Sequence, residues 1–302
     1  MPDLKIGMIG LDTSHVVAFA KCFNKPDHAE HIPGAKIALA FPGGSPDFDL
    51  SINRVQGFMK QLTEDFGVKL ADSPEAVAQQ VDLLFIMSVD GRIHREQFAR
   101  TVKFRRPTFI DKPFTTSLAD AEQIFRLAGE HNVPVMSCSS LRYAHTLIES
   151  LEHENDGPIV GCDVFGPMAI VETQPGLFWY GIHSVEMTNR IMGRGAIQVR
   201  ATTNAEVDLI TVAFKDGRIA SIRGMRKGHN KFGATLHREK GFTFIDAGGG
   251  KKSYYASMLE AIMRTLPHGK SDIDPQDTLE IIRIIEAANK SRNTQQPVRI
   301  SQ

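Results

Sequence analysis

A chain of 302 residues is long enough for two domains and for a sizeable core. Lys plus Arg and Asp plus Glu both total 35, giving a formal charge of zero, so no global positive field favours nucleic acid. The polar start Met1-Pro2-Asp3-Leu4-Lys5, the lack of any apolar run of spanning length and the absence of C-x-x-C spacing among Cys22, Cys138 and Cys162 lead us to expect a cytoplasmic protein. Neither a membrane segment, a disulfide framework nor a structural zinc is expected.

Leu4 to Gly10 is an apolar run of strand length ending in glycine, and Thr13 to Phe23 then shows helical spacing. Lys36 to Phe41 reads as a second strand, stopped by Pro42-Gly43-Gly44. A helix is predicted over Ile52 to Phe66, a buried strand over Val81 to Met87, and a helix from His94 to Val102. Pro107 to Ile110 is another strand, Ser117-Leu118-Ala119-Asp120 has the form of a capping box opening a helix to Glu130, and Val133 to Cys138 is the next strand. This alternation implies an α/β, Rossmann-type doubly wound parallel sheet over residues 1–140. In 141–302, Pro158 to Pro167 reads as a strand and Phe178 to Met192 as a helix. Gln198 to Met225 reads as successive strands turning at Lys215-Asp216-Gly217-Arg218, and helices follow over Tyr254 to Leu266 and Pro275 to Lys290. That pattern predicts an α+β domain on a mostly antiparallel, open-faced sheet, with the last helix free to pack on either domain.

Four separated segments point to a family. Lys5-Ile6-Gly7-Met8-Ile9-Gly10 opens a strand–turn–helix unit, and Asp111-Lys112-Pro113-Phe114 stands where an E-K-P signature would. Ser139-Ser140-Leu141-Arg142-Tyr143 is similar to an N-x-R-aromatic sequence, and Tyr180-Gly181-Ile182-His183 to a G-x-H element at a helix start. In this order they resemble the glucose–fructose oxidoreductase/inositol dehydrogenase (Gfo/Idh/MocA) family, over essentially the whole chain to Pro297-Val298-Arg299-Ile300. The resemblance implies a dinucleotide domain binding NAD or NADP and a second domain for substrate and oligomerisation, as a homodimer or homotetramer. It also implies hydride transfer to or from a sugar, inositol or related polyol, with Lys112 at the reacting hydroxyl and His183 exchanging its proton. Those residue types suit the chemistry: an alcohol oxidation needs a base near neutrality and a cation for the developing alkoxide.

The chain departs from the family pattern at three places. In G-x-G-x-x-G, glycines let the backbone approach a pyrophosphate; with Gly10 as the first, Asp12 and His15 take the other two places. An Asp12 carboxylate about 4 Å from a phosphate, at an effective dielectric of about 20, would cost roughly 4 kcal/mol per charge pair; turned inward to cap the helix, it would not. Phe41 replaces the acid that receives NAD ribose hydroxyls, and no arginine stands in the following loop. Trp179 stands four residues before His183, where the family carries an aspartate; it is either a platform for sugar C–H groups or core.

The candidate cofactor residues are Gly10, Asp12, Thr13, Ser14, His15, Ser88, Asp90, His94 and Asp111, with helix capping the other reading of His94. Arg142, Tyr143, Trp179 and Tyr180 are the candidate substrate residues, with an interdomain ion pair the other reading of Arg142. Lys227, His229, Asn230 and Lys231 read as an exposed hairpin end, and no metal site is expected. The departures leave two further functions open: a non-redox descendant binding a carbohydrate or nucleotide, and a lyase or isomerase with tightly bound NAD.

Overall fold

A computed structural model describes residues 3–153 and 155–300. The chain divides into two compact units: residues up to Cys138 with Met258–Pro275, and Ser139–Ser257 with residues from Gln276 onward. The last helix therefore belongs to the second unit, and it is the segment before it that groups with the first.

The first unit alternates β1 (Leu4–Ile9), α1 (His15–Asn24), β2 (Ala35–Phe41), α2 (Asp49–Phe66), β3 (Lys69–Leu70), α3 (Pro74–Gln80), β4 (Leu83–Ile86), α4 (His94–Thr101), β5 (Thr108–Ile110), α5 (Leu118–His131) and β6 (Val135–Met136). The strands lie in the order β3-β2-β1-β4-β5-β6, and every pair is parallel. This is the doubly wound order, in which the crevice between the carboxyl ends of β1 and β4 receives ligands. Residues 83–86 of β4 and 108–110 of β5 are buried throughout, which explains why their sequence is continuously apolar rather than alternating. Ser117 caps α5 as predicted, accepting the Asp120 N–H. Two elements were not foreseen. β3 has only two residues, both exposed, and α3 has seven, too few to display a helical period.

The second unit carries α6 (His145–Glu152), β7 (Ile159–Pro167), α7 (Gly181–Met192), β8 (Ala196–Thr203), β9 (Val207–Phe214), β10 (Ile219–Met225), β11 (Gly233–Arg238) and β12 (Gly241–Asp246). α8 (Tyr254–Thr265), α9 (Pro275–Thr294) and β13 (Val298–Arg299) complete the chain. The strand order is β12-β11-β7-β10-β9-β8-β13; only β7 and β10 pair in parallel. One face, with Cys162, Val164, Ile210, Ala220, Ile222, Leu236 and Ile245, is buried, and α7 packs against β7 and β10. The opposite face carries Ile219, Phe242 and Phe244, which are 60%, 73% and 63% exposed.

The turn between β9 and β10 falls at Lys215–Arg218, with Gly217 at φ 89°. The reading of Lys227–Lys231 as a hairpin end is corrected: β10 and β11 are not neighbours, because β7 lies between them. That loop is a crossover, and it was misread because β11 and β12 were not recognised as strands.

The backbone packs closely at the turn after β1. Gly10 has φ 89°, and a Cβ there would lie 2.2 Å from Ser88 Oγ and 2.5 Å from Ser88 N. Gly10→Ala combines left-handed strain with overpacking against backbone, so it should lower stability by at least about 2 kcal/mol, measurable in urea unfolding.

Candidate functional site

The nucleotide edge is built around the turn Gly10–Ser14. Gly10 N–H donates to Phe41 O and Leu11 N–H to Pro42 O, at 3.0 and 2.7 Å, so the loop after β2 is folded against the turn. Asp12 is fully buried: its carboxylate accepts the Ser51 hydroxyl at 2.5 Å and the Val89 N–H at 2.9 Å. It neither faces outward nor caps α1, which corrects both alternatives offered by the sequence. Burial raises its pKa above the ordinary 3.8, against the pull of Ser51, Val89 and the Arg54 charge.

The backbone amides of Thr13 and Ser14 precede the helix, Ser14 makes no side-chain cap, and the first turn holds no acid. With Asp12 directed inward, the repulsion anticipated from the sequence is removed.

His15 begins α1 and stacks on Phe19 at 5.7 Å between ring centres. Its Nδ1 lies 2.6 Å from Asp111 Oδ2, and Asp111 Oδ1 accepts the Lys112 backbone N–H at 2.8 Å. Burial acts to raise the Asp111 pKa, but the His15 charge and hydrogen bond, with Lys112, bring it below the ordinary carboxylate value. Lys112 is buried, and that burial lowers its pKa; Asp111 opposes the shift and Arg54 adds to it.

Ser88, Asp90 and His94 are fully buried and hold the loop after β4 in place. Gln97 donates to Ser88 Oγ at 2.8 Å. Asp90 accepts Ser45 Oγ–H and Arg92 Nη2–H, each at 2.7 Å. The His94 ring nitrogens lie 2.7 Å from Ser88 O and 3.0 Å from Phe114 O. His94 thus ties β4 to the segment after Lys112; the cap reading is not realised, since the residue before α4 is Ile93.

Arg54 was missed. It is three residues after the buried Ser51 on α2, its Nε and Nη2 atoms are buried, and its charge acts on both Asp12 and Lys112. A basic residue on the inward stripe of an amphipathic helix was the available signal.

In the second unit, His183 lies in the first turn of α7. Its Nδ1 is 2.7 Å from Ser139 Oγ, and its ring is flanked edge-on by Tyr180 and Phe232 at 5.4 and 5.3 Å. A cavity of about 230 Å³ is lined by Leu141, Asn230, Lys231, Phe232, Asp246 and Tyr254, among others. The crossover loop thus brings Phe232 to His183 and its polar residues to that cavity. Arg142 is turned away into the protein. Its Nη1 donates to Glu186 Oε1 at 3.0 Å and Asn189 Oδ1 at 3.2 Å, and its Nη2 to Asp277 Oδ2 at 3.2 Å. These partners belong to its own unit. Burial raises the Glu186 pKa against the Arg142 charge, and Glu186 is committed to Arg142. Tyr143 and Trp179 are buried, at 8% and 7% exposure, while Tyr180 is half-buried. Among the described residues no group of three or more His, Cys, Asp or Glu converges as a metal site.

The fold and this edge define a Rossmann-type α/β protein with an appended mixed-sheet domain. Residues 44–138 match the family model GFO_IDH_MocA, described as an oxidoreductase family with an NAD-binding Rossmann fold. The resemblance to the Gfo/Idh/MocA family is borne out there, over a span that begins beyond the altered turn Gly10–His15. Solved structures extend the likeness of fold to the whole chain. The myo-inositol 2-dehydrogenase of Lactobacillus plantarum is similar at TM-score 0.79 and 16% identity, over 99% of this chain and 100% of that one. The myo-inositol dehydrogenase of Lactobacillus casei, solved with NAD(H) and myo-inositol, gives 0.78 and 14%, over 99% and 97%. The apo scyllo-inositol dehydrogenase of the same organism gives 0.80 and 16%, over 100% and 99%. Comparison with curated proteins gives no match.

Two measurements check these assignments. Arg142→Met should leave Glu186 buried without its cation and cost about 3–5 kcal/mol in chemical denaturation. Because the Asp12 pKa is raised on folding, its contribution is fully present below the unfolded value near 3.8 and is lost as pH rises through the folded value. Asp12→Asn cannot ionise, so its stability relative to the native chain should increase from pH 4 to pH 8, read from paired urea titrations.

Proposed function

We propose that this protein is an NAD(P)-dependent oxidoreductase acting on a CH–OH group of a sugar, inositol or related polyol. The observation that carries the reading is the Asp111-Lys112 segment at the end of β5, within the span matching the oxidoreductase family. A nicotinamide dinucleotide, when bound, supplies the hydride acceptor or donor. Thr13 and Ser14 would hold its pyrophosphate at the start of α1. Phe41 leaves no carboxylate at the end of β2 to take ribose hydroxyls, so a 2′-phosphate meets no repulsion from that residue.

Lys112 is the residue for the reacting hydroxyl. Buried, with its pKa lowered, it can donate a hydrogen bond or carry charge toward a developing alkoxide. His183 is the proton acceptor. If Nδ1–H donates to Ser139 Oγ, Nε2 keeps its lone pair for the hydroxyl proton. Asn230, Lys231 and Asp246 supply donors and acceptors for further hydroxyls from the cavity that shares Phe232 with His183. Arg142 and Glu186 support this region from within and touch no substrate.

The exposed Phe242, Phe244 and Ile219 on the open sheet face support a homo-oligomer whose second copy covers that face. Among the described residues no helix is long and apolar enough to cross a membrane; together with the three buried free cysteines this accords with a cytoplasmic enzyme.

Calorimetry with NADH and NADPH tests the reading first: binding of either is expected, and affinity for neither would overturn it. With myo-inositol and a panel of sugars as substrates, Lys112→Ala and His183→Ala should each lower kcat/KM at least about a hundredfold while leaving the far-UV spectrum and dinucleotide affinity nearly unchanged.

A further inference from the structure

Two departures from the family pattern meet in space. His15 stands where the fingerprint has its third glycine, and Asp111 stands where the E-K-P signature has a longer acid. Their side chains form a buried pair at 2.6 Å, with side-chain exposures of 11% and 3%. The other Asp111 oxygen accepts the Lys112 backbone N–H at 2.8 Å. The result is a continuous chain of contacts from the first residue of α1, through one carboxylate, to the lysine at the end of β5.

We propose that His15 is a positioning residue for Lys112: by engaging one oxygen of Asp111 it fixes the carboxylate beside the lysine and sets how strongly that carboxylate acts on the ammonium. The assignment of a substrate role to Lys112 rests on the function proposed above; the coupling itself does not. His15 also begins the helix whose preceding amides suit a phosphate. A change in the first turn of α1 would therefore reach Lys112 through hydrogen bonds, without a movement of the sheet.

The direction of the effect follows from charges acting on the lysine, among them Asp111 beside it and Arg54 from α2. Asp111 raises the proton affinity of Lys112, and His15 draws on the same carboxylate. Removing His15 deprives the site of a cation, if the ring is charged, or releases a carboxylate oxygen toward the lysine, if it is neutral. In both states Lys112 holds its proton more tightly. Asn at position 15 presents an N–H near the place of Nδ1, so it keeps the hydrogen bond and cannot ionise. Asp111→Asn removes the anion and must act in the opposite sense.

The test is an NMR titration of the Lys112 side chain in the full-length protein. Lys112 is assigned by the signal lost in Lys112→Gln, and thermal unfolding is recorded in parallel. His15→Ala is expected to raise the Lys112 proton affinity about tenfold, His15→Asn to restore most of the native value, and Asp111→Asn to lower it. The same Lys112 titration in the native protein and all three variants would overturn the proposal. So would equal shifts in His15→Ala and His15→Asn, since the hydrogen bond that Asn keeps would then set nothing at Lys112. If His15→Ala does not fold, His15→Asn against Asp111→Asn decides: a near-native titration in the first and a lowered one in the second is expected, and any other pairing overturns it. NADH affinity of the native protein, measured alongside, reports separately on the functional reading: its absence would remove the cofactor and leave the coupling standing.

Discussion

The nucleotide edge depends on how one buried carboxylate is satisfied. Asp12 receives the Ser51 hydroxyl from α2 and the Val89 N–H from the loop after β4, and so joins the turn after β1 to the elements on either side of it. A carboxylate taken out of water without such donors would cost several kcal/mol. With them, it fixes three segments whose alignment shapes the crevice at the carboxyl ends of the strands. Ser45 continues the network, its N–H on Ser51 Oγ and its hydroxyl on Asp90. Gly10 completes it, because only a residue without a side chain can lie against Ser88 at that distance.

This arrangement changes what the altered fingerprint means. The glycine at position 10 is required by contact with Ser88, and the acid at 12 does not confront a phosphate. At the start of α1 the first turn holds no acid and Ser14 makes no side-chain cap. Asp12 has its pKa raised, Arg92 shares Asp90 and Asp47, and Arg54 adds a cation within range of the lysine.

In the second unit the same economy holds a single histidine. Arg142, Glu186, Asn189 and Asp277 form a buried polar core under α7, and the Ser139 N–H contacts Glu186 at 3.4 Å while its hydroxyl meets His183. Arg142, one of the residues that looked available for substrate in the sequence, holds α7 through Glu186 and Asn189. Asn230, Lys231 and Phe232 reach the cavity from the crossover that returns past β7 to start β11, Asp246 from the end of β12 and Tyr254 from the start of α8.

The strand–helix alternation, the doubly wound class of the first domain, the hairpin at Lys215–Arg218 and the order of motifs leading to Lys112 and His183 were all legible in the sequence. Each depends on local chemistry: apolar runs for strands buried on both faces, helical spacing, caps and turn glycines. Trp179 and Arg142 could not be decided that way, because a buried aromatic and a substrate platform have the same one-dimensional signature, as do an ion-paired arginine and a ligand-binding one. Burial and named partners settled where they lie. The short β3 and α3 were lost for want of a full period, and α6, β11 and β12 went unrecognised although each is long enough to show one. The pairing of His15 with Asp111 and of Asp12 with Ser51 was beyond sequence reading altogether, since those partners lie 96 and 39 residues apart. Sequence alone determined the main alternation of strands and helices and the order of the motifs along the chain. Tertiary structure decided which charges face each other, because a charge group's partner is set by the packing of distant strands and helices.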